Sequence, residues 1–246
     1  MRGLRILLIL VVILGVLFVV ADRLALHFAE GEAADKLKTT QNLSATPDVD
    51  IKGFPFLTQV ANRKLNDVTV DISQYEAATG DDKGTTVRID DLEAKLKGLR
   101  FSGSSFSSAT ADTATGSARI TYAELLKAAK SESTQVVPGF DVRVASLSDG
   151  GDGRIKVTLE ATLLGRTLPR VSVLSAVSVH GDTVRVRAVK LPTFDGVTFG
   201  EDSIRSVVDF EQRIEQLPGG IQLDKVTAAK DGVDISVKGA NVNLAE

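Results

Sequence analysis

The chain has 246 residues, of which 25% are charged, with a formal net charge of −3 and no cysteine. This length is sufficient to bury a full hydrophobic core, and the ordinary charged fraction excludes a disordered chain and a polytopic membrane protein. The slightly acidic balance argues against a general nucleic-acid binder, which needs a basic face for the phosphates. The absence of cysteine excludes disulfides, thiolate metal sites, cysteine nucleophiles and lipid-modified cysteine.

The amino terminus is predicted to hold a membrane segment. Two arginines in the first five residues precede residues 6–21, a run of 16 residues without a charge. As a helix this run is about 24 Å long, somewhat shorter than the roughly 30 Å hydrocarbon core of a bilayer. Two interpretations stay open, a signal peptide cleaved after Ala21 and a signal anchor, and the length of the run favours the anchor. Both make residues 1–23 a targeting segment and residues 24–246 a single exported domain, at the cell membrane or released into the cell envelope.

The first part of the exported domain combines a helix with long strands. An amphipathic helix is predicted to continue from the membrane segment over residues 24–43. Beyond it the apolar residues alternate, from Asp48 to Lys52 and from Leu65 to Tyr75. From Thr85 to Phe101 the alternation slips twice, which is typical of a β-bulge in a long bent strand. A helix over Asp90 to Gly98 is the alternative there.

The middle of the chain is predicted to contain a loop, a short helix and an antiparallel meander. Ser102 to Ser117 is rich in small and hydroxyl residues, which indicates a loop. Thr121-Tyr-Ala-Glu resembles a capping box, which predicts a short helix from there to about Lys130. From Ile155 to Val186 apolar residues alternate with polar ones, with a tight turn at Gly181-Asp182. This pattern indicates antiparallel strands with one apolar face.

The last part of the chain predicts a second helix and a final hairpin. The helix covers Asp202 to Leu217 and ends at a Pro-Gly-Gly sequence. The hairpin pairs Ile221 to Ala229 with Val233 to Leu244 around a turn at Asp231-Gly232. Helices and strands do not alternate as βαβ units, so the predicted class is α+β with a long curved antiparallel sheet. An apolar face that the helices leave uncovered would form a groove for an apolar ligand, and a filled core is the alternative.

Two segments resemble a known family. Asp50-Ile-Lys-Gly-Phe-Pro-Phe-Leu-Thr-Gln59 contains the specific heptad Gly53–Gln59, and Leu217-Pro-Gly-Gly-Ile-Gln-Leu223 leads into the final hairpin. Together with the membrane segment they are similar to the LmeA-like phospholipid-binding family of actinobacterial cell-envelope proteins. The resemblance implies an exported or membrane-anchored phospholipid-binding protein in envelope lipid or glycolipid transport or biosynthesis. It also implies a tubular lipid-binding fold, in which a curved sheet wraps helices around an apolar channel.

The candidate lipid contacts are aromatic and aliphatic residues. In the heptad, Gly53 and Pro55 fix an irregular backbone that presents two rings and a leucine. Such a turn suits the mouth of an acyl-chain channel or a bilayer surface, and a plug at the end of the core is the alternative. The lipid-binding candidates are Phe54, Phe56, Leu57, Phe140, Phe194, Phe199 and Phe210.

Basic residues concentrate in one stretch of the exported domain. Arg154 to Lys190 carries seven basic and two acidic residues, a local charge of +5. Arg166 and Arg170 flank a turn in this stretch and are the candidates for an anionic lipid head group. A solvated outer face of the sheet is the alternative.

Catalytic and metal-binding patterns are not found in the sequence. His27 and His180 are interpreted as surface residues, and Asp149 to Gly153 as a hairpin turn rather than a calcium loop. We therefore predict a protein that is not an enzyme, without a cofactor or metal. The resemblance implies that its partners are the membrane and a phospholipid, anionic by the basic stretch, or a related glycolipid. The alternative is a membrane-anchored envelope scaffold with a filled core and a protein partner. A hydrolase would need carboxylates such as Asp195 or Glu201 to converge in a cleft.

Overall fold

A computed structural model describes residues 2–78, 86–102, 108–128, 133–181, 183–190, 205, 208–213 and 220–243. The helices with described ends are α1 (Arg2–Thr40), α2 (Phe56–Ala61) and α3 (Tyr122–Ala128). The strands are β1 (Asp48–Lys52), β2 (Lys64–Ala78), β3 (Thr86–Ser102), β4 (Ser108–Thr121), β5 (Thr134–Val137), β6 (Phe140–Asp149), β7 (Arg154–Leu163), β8 (Arg166–Thr167), β9 (Val171–His180), β10 (Thr183–Ala188), β11 (Phe210–Arg213), β12 (Ile221–Ala228) and β13 (Gly232–Asn243).

The predicted membrane segment and the amphipathic helix after it form one continuous helix, α1, of 39 residues. Its apolar side chains from Leu4 to Val20 are exposed, and this part is long and apolar enough to cross a membrane. From Asp22 onward α1 buries one side against the first sheet and α2, as the helical spacing of its apolar residues predicts. The side chains on that side include Leu26, Ala29, Ala33, Ala34 and Leu37.

The first sheet has six antiparallel strands in the order β1-β2-β3-β4-β13-β12 and is curled into a half-barrel. One face is apolar across all six strands, because residues that lie opposite each other on neighbouring strands point to the same side. Two cross-strand rows define it. The central row is Val49, Val70, Ala94, Gly116, Val237 and Leu223, and the neighbouring row is Ile51, Val68, Leu96, Ala114, Gly239 and Ile221.

Strand β3 confirms the bulged strand predicted for this stretch, and the alternative helix over Asp90 to Gly98 is wrong. Its register against β4 shifts between Asp90 and Glu93, where Asp91 has a φ of 52°. The second slip in the pattern falls at Gly98, which has a φ of 63°. This left-handed φ favours glycine, and a Cβ there would displace the carboxylate of Asp112.

Strand β4 contradicts the loop predicted for Ser102 to Ser117 from Ser108 onward, because Ser108–Thr121 is a central strand. Residues 103–107 of the predicted loop lie outside the described residues. Its backbone pairs with β3 on one side and with β13 on the other. Those two neighbours satisfy its N–H and C=O groups, and this pairing outweighs the weak strand propensity of alanine, serine and glycine. Small side chains also fit between two long strands, and Ala111 and Ala114 are buried.

The second sheet has the order β11-β10-β9-β7-β6-β5 and contains the predicted meander. The helix predicted over Asp202 to Leu217 is wrong for Phe210–Arg213, which forms strand β11 at the edge of this sheet. Arg205 and Val208 are helical. The side chain of Asp209 then accepts the N–H of Ala188 in β10, so pairing with the sheet replaces the helix at this point. The remainder of the predicted helix lies outside the described residues.

The final hairpin and the short helix α3 confirm their predictions. β12 and β13 pair antiparallel with a register shift between Leu223 and Lys225. At the start of α3, Thr121 Oγ1 accepts the N–H of Glu124 at 3.3 Å, which is half of a capping box. The Glu124 carboxylate accepts the N–H of Arg88 instead of closing the box.

Candidate functional site

The apolar face of the first sheet is covered at its two ends by different elements. At the β1 end lies the helix cluster, in which Ala34 of α1 and Phe56 of α2 pack on β1 and β2. At the β12 end lies the inter-sheet cluster, in which the second sheet packs on β12 and β13. Its buried members include Phe140, Val142, Val157, Leu159, Val173, Leu223, Val226 and Val233.

Small residues occupy the middle of this face. Ala94, Ala114 and Gly116 lie on β3 and β4, and neither cluster includes them. Their side chains extend no further than a methyl group, and the two clusters lie on either side of them. Ala94 is partly exposed and Ala114 is buried, while Cγ2 of Val237 lies 2.9 Å from where a Cβ of Gly116 would be. β3 and β13 are two strand spacings apart, which makes this floor about 10 Å wide. Among the described residues it is the stretch of the apolar face with the smallest side chains, and we call it the small-residue floor.

The opposite face of the first sheet is polar and carries two open clefts. They have volumes of about 470 and 480 Å³ and meet at the bulge around Asp91. Burial, followed by the charges of Glu93 and Asp48, raises the pKa of the Asp71 carboxyl in one of them. In the described ranges no three carboxylate or histidine side chains are placed to hold a metal ion. Charged and hydroxyl side chains line both clefts beside a few apolar ones.

The heptad Gly53–Gln59 forms a tight turn followed by α2. Gln59 is buried, and its side chain donates to the carbonyl of Lys52 at 3.4 Å and accepts the N–H of Asn66 at 2.8 Å. Gly53 has a φ of 108°, and a Cβ there would lie only 2.8 Å from Nε2 of Gln59. The glycine therefore gives Gln59 the space to connect β1 and β2 across the turn.

The three apolar side chains of the heptad point in different directions. Phe56 is buried in the helix cluster, with 5% of its surface exposed, as the plug interpretation expects. Phe54 is 59% exposed and Leu57 is 36% exposed, as a surface contact requires. The heptad thus combines an internal anchor with an external apolar surface.

Asp22 holds this turn against α1, and sequence reasoning missed it. Its side chain is completely buried, accepts the N–H of Leu57 at 2.8 Å and pairs with Arg23 at 2.9 Å. Pro55 at the N-cap position of α2 has no side-chain hydrogen bond, so Asp22 supplies the missing acceptor. The guanidinium of Arg23 lies over the ring of Phe54, 5.1 Å from its centre. No local signal reveals Asp22, since its partner is 35 residues away.

The other aromatic candidates do not converge with the heptad in the described part of the chain. Phe140 is completely buried in the inter-sheet cluster. Phe210 is 52% exposed on the edge strand β11. Phe194 and Phe199 lie outside the described residues, as do Asp195 and Glu201.

The two head-group candidates differ in their surroundings. Arg170 donates to Glu160 at 2.9 and 3.0 Å, and Arg143 pairs with the same carboxylate. The hydrogen bonds from Arg143 and Arg170 hold the pKa of Glu160 below its ordinary value. Arg166 is exposed on β8 and has no ion pair with a described residue. Arg166 is therefore the more available of the two cations, and both histidines are exposed, as predicted.

Comparison with known proteins identifies the family. The LmeA-like phospholipid-binding family matches residues 20–238 of the 246-residue chain. The chain belongs to the LmeA-like phospholipid-binding family. The match begins at the end of the apolar part of α1 and ends in β13, so it includes the heptad, both clusters and the small-residue floor. No curated protein matches the chain, and no solved structure matches it.

Proposed function

We propose that this chain is an exported phospholipid-binding protein that holds acyl chains on the apolar face of its first sheet. Residues 6–21 remain in the cell membrane as a single span, and the domain from residue 24 onward lies outside the cytoplasm. The chain is not an enzyme; it presents or carries a phospholipid or related glycolipid in the cell envelope. The observation that carries the proposal is the central row, which is apolar on all six strands and has alanine and glycine at its middle.

The geometry of the apolar face supports this assignment. The two clusters cover both ends of each cross-strand row, so the floor between β3 and β13 is about 10 Å wide and its long direction follows β4. An acyl chain that lies on this floor along β4 loses its contact with water, which contributes about 0.8 kcal/mol for each buried CH₂. The methyl group of Ala94, which is only partly buried, leaves space for it, whereas a larger residue would fill this position by itself.

The head group of the lipid is proposed to be anionic. Arg166 is our first candidate contact, because its guanidinium is exposed and no described carboxylate pairs with it. Arg170 would have to exchange Glu160 for the lipid phosphate. Phosphate is a preferred partner of the guanidinium group, since it accepts two parallel hydrogen bonds.

The test measures phospholipid on the full-length chain after mild detergent extraction, by native mass spectrometry. We expect a stoichiometric phospholipid adduct on the unmodified chain and a weakened one on Ala94→Phe, whose ring would occupy the floor. Displacing two methylenes costs about 1.6 kcal/mol, which weakens the affinity more than tenfold. Thr115→Phe is the matched control, because Thr115 is exposed on the polar face of the adjacent strand.

The outcomes separate binding from folding. Circular dichroism must show the same β content in both variants. An unmodified chain without an adduct, even after incubation with anionic vesicles, would refute the binding function. Equal adducts on Ala94→Phe and Thr115→Phe would instead refute the small-residue floor as the site. Arg166→Gln should lower the preference for anionic over zwitterionic phospholipid while leaving the adduct itself in place.

A further inference from the structure

The connection between β1 and β2, residues 53–63, lies at the end of the domain that is closest to the apolar part of α1. The N–H of Ile51 donates to Glu30 at 3.0 Å, and the N–H of Leu57 donates to Asp22 at 2.8 Å. Ile51 in β1 thus meets the later residue of α1, and Leu57 in the connection meets the earlier one. β1 therefore runs antiparallel to α1 and returns the chain toward the membrane segment.

Large apolar side chains are exposed at this level of the molecule. Phe54 is 59% exposed and Leu57 36%, while Leu24 and Phe28 on α1 are 57% and 75% exposed. At 1.5 Å per residue, Asp22 to Phe28 spans the first 10 Å or so beyond the apolar run. The interfacial layer of a bilayer, between hydrocarbon and water, is roughly 5–8 Å deep on each side. Phe54 and Leu57 therefore lie at interfacial depth if residues 6–21 span the membrane.

Cations flank these apolar groups. Arg23 covers one side of the Phe54 ring, and Arg63 is exposed at the end of the connection. An aromatic ring beside a cation suits the interface, because the ring meets the acyl chains while the cation meets the lipid phosphates. Aromatic rings are also enriched where membrane proteins cross from lipid to water.

We propose that Phe54 and Leu57 insert into the surface of the bilayer that holds α1, and that buried Asp22 positions them there. The inference rests on the proposed retention of residues 6–21 in the membrane and specifies how the domain sits on it. Asp22 is a positioning residue, since it contacts no lipid and acts through the N–H of Leu57 and the guanidinium of Arg23. The occupant of this surface is the phospholipid bilayer itself.

The chain contains no tryptophan, so one substitution creates a specific fluorescent probe. The full-length Phe54→Trp variant is reconstituted into vesicles of phosphatidylcholine and phosphatidylglycerol whose acyl chains are brominated close to the ester. Leu164→Trp is the matched control, because Leu164 is 80% exposed on the turn between β7 and β8. We expect bromine to quench Phe54→Trp several-fold more strongly than Leu164→Trp. Adding Asp22→Ala to Phe54→Trp should lower the quenching toward the control.

Each outcome decides a separate point. Equal quenching of Phe54→Trp and Leu164→Trp, with the protein still in the vesicle pellet after an alkaline wash, would overturn the docking and leave the anchor in place. Release by the alkaline wash would overturn both. A folded Asp22→Ala variant with undiminished quenching would refute the positioning role. If Asp22→Ala does not fold, Asp22→Asn takes its place, because it retains the accepting oxygen without the charge and should keep the quenching. Loss of the quenching in a folded Asp22→Asn variant would refute hydrogen bonding as the means of positioning. The phospholipid adduct is measured separately, so its absence would not imitate any of these results.

Discussion

Asp71 is the centre of a like-charged row on the polar face of the first sheet. It lies directly opposite Asp48 on β1 and Glu93 on β3. Burial, followed by the charges of Glu93 and Asp48, raises the pKa of Asp71. A carboxyl whose pKa is raised by folding lowers the free energy of unfolding once the pH exceeds the pKa that it has in the unfolded chain, about 3.9. Asp71→Asn removes the charge with little change in shape, so we expect it to stabilise the protein at neutral pH.

The magnitude follows from the two cross-strand neighbours. A directly opposed charged pair changes stability by roughly 0.2–1 kcal/mol, and Asp71 has two such pairs. Because Asp71 is desolvated only in part and still reaches water, solvent screening keeps the total in the lower half of that sum, about 0.5–1 kcal/mol. For a chain of this size, this corresponds to a rise in Tm of about 1–4 °C.

Asp67 on the same strand and the same face is the matched control. It lies opposite Lys52 on β1 and Lys97 on β3, so Asp67→Asn should lower the Tm by a similar amount. The assay is thermal unfolding of the full-length chain in a mild detergent at low salt, followed by the circular dichroism of the β-sheet. At about 1 M salt the screening length falls to about 3 Å, and both shifts should shrink. Shifts of the same sign, or shifts that persist at high salt, would refute the electrostatic explanation.

Two further predictions concern a close backbone approach and an acid-sensitive ion pair. A Cβ at Gly232 would lie 2.2 Å from the carbonyl oxygen of Ile120, so Gly232→Ala should lower the Tm strongly. Gly31→Ala, at an open position of α1, should instead raise the free energy of unfolding by about 1 kcal/mol, and chemical denaturation distinguishes the two. The hydrogen bond from Lys127 lowers the pKa of Glu124, so this pair stabilises the fold above about pH 4.3. That contribution is lost as the pH falls through the pKa of Glu124 in the folded protein. Glu124→Gln should therefore reduce the fall of Tm at acid pH, and an unchanged fall would contradict this prediction.

The sequence predicts those elements whose apolar residues recur at a regular helical or strand spacing. α1 and the bulged strand β3 follow directly from the spacing of their apolar residues. β4 does not, because Ser108–Thr121 has almost no large apolar side chain and is a strand only through its neighbours β3 and β13. Phe210–Arg213 fails for a related reason, since apolar residues around it have helical spacing while its backbone pairs with β10. Tertiary pairing decides both segments, and a local pattern does not contain it.

The same limit applies to the candidate site. Glycine and proline mark the heptad as an unusual backbone, and the aromatic residues mark it as a contact surface. The sequence does not indicate that Phe56 turns inward while Phe54 turns outward, because the direction depends on where α1 packs. The role of Asp22 cannot be predicted from the sequence either, since an Asp-Arg pair after an apolar run is also typical of an ordinary membrane boundary. The β4 part of the small-residue floor, Ala114 and Gly116, lies within the segment that composition assigns to a loop, so the sequence did not indicate it.

The position of Asp22 also predicts the fate of the leader. Cleavage after Ala21 would leave the first four backbone N–H groups of the shortened helix without helical acceptors, at the turn where the carboxylate of Asp22 holds Leu57. The intact helix has no such loss, so we expect the mature protein to retain residues 6–21. Intact mass spectrometry of protein from the membrane fraction measures this directly. Ala21→Leu removes the small residue that a signal peptidase requires. If the helix is retained, both the unmodified chain and this variant are found at full length, and their masses differ only by the substitution. A mature chain that begins at Asp22, and that Ala21→Leu prevents from forming, would establish a cleaved signal peptide and refute the anchor.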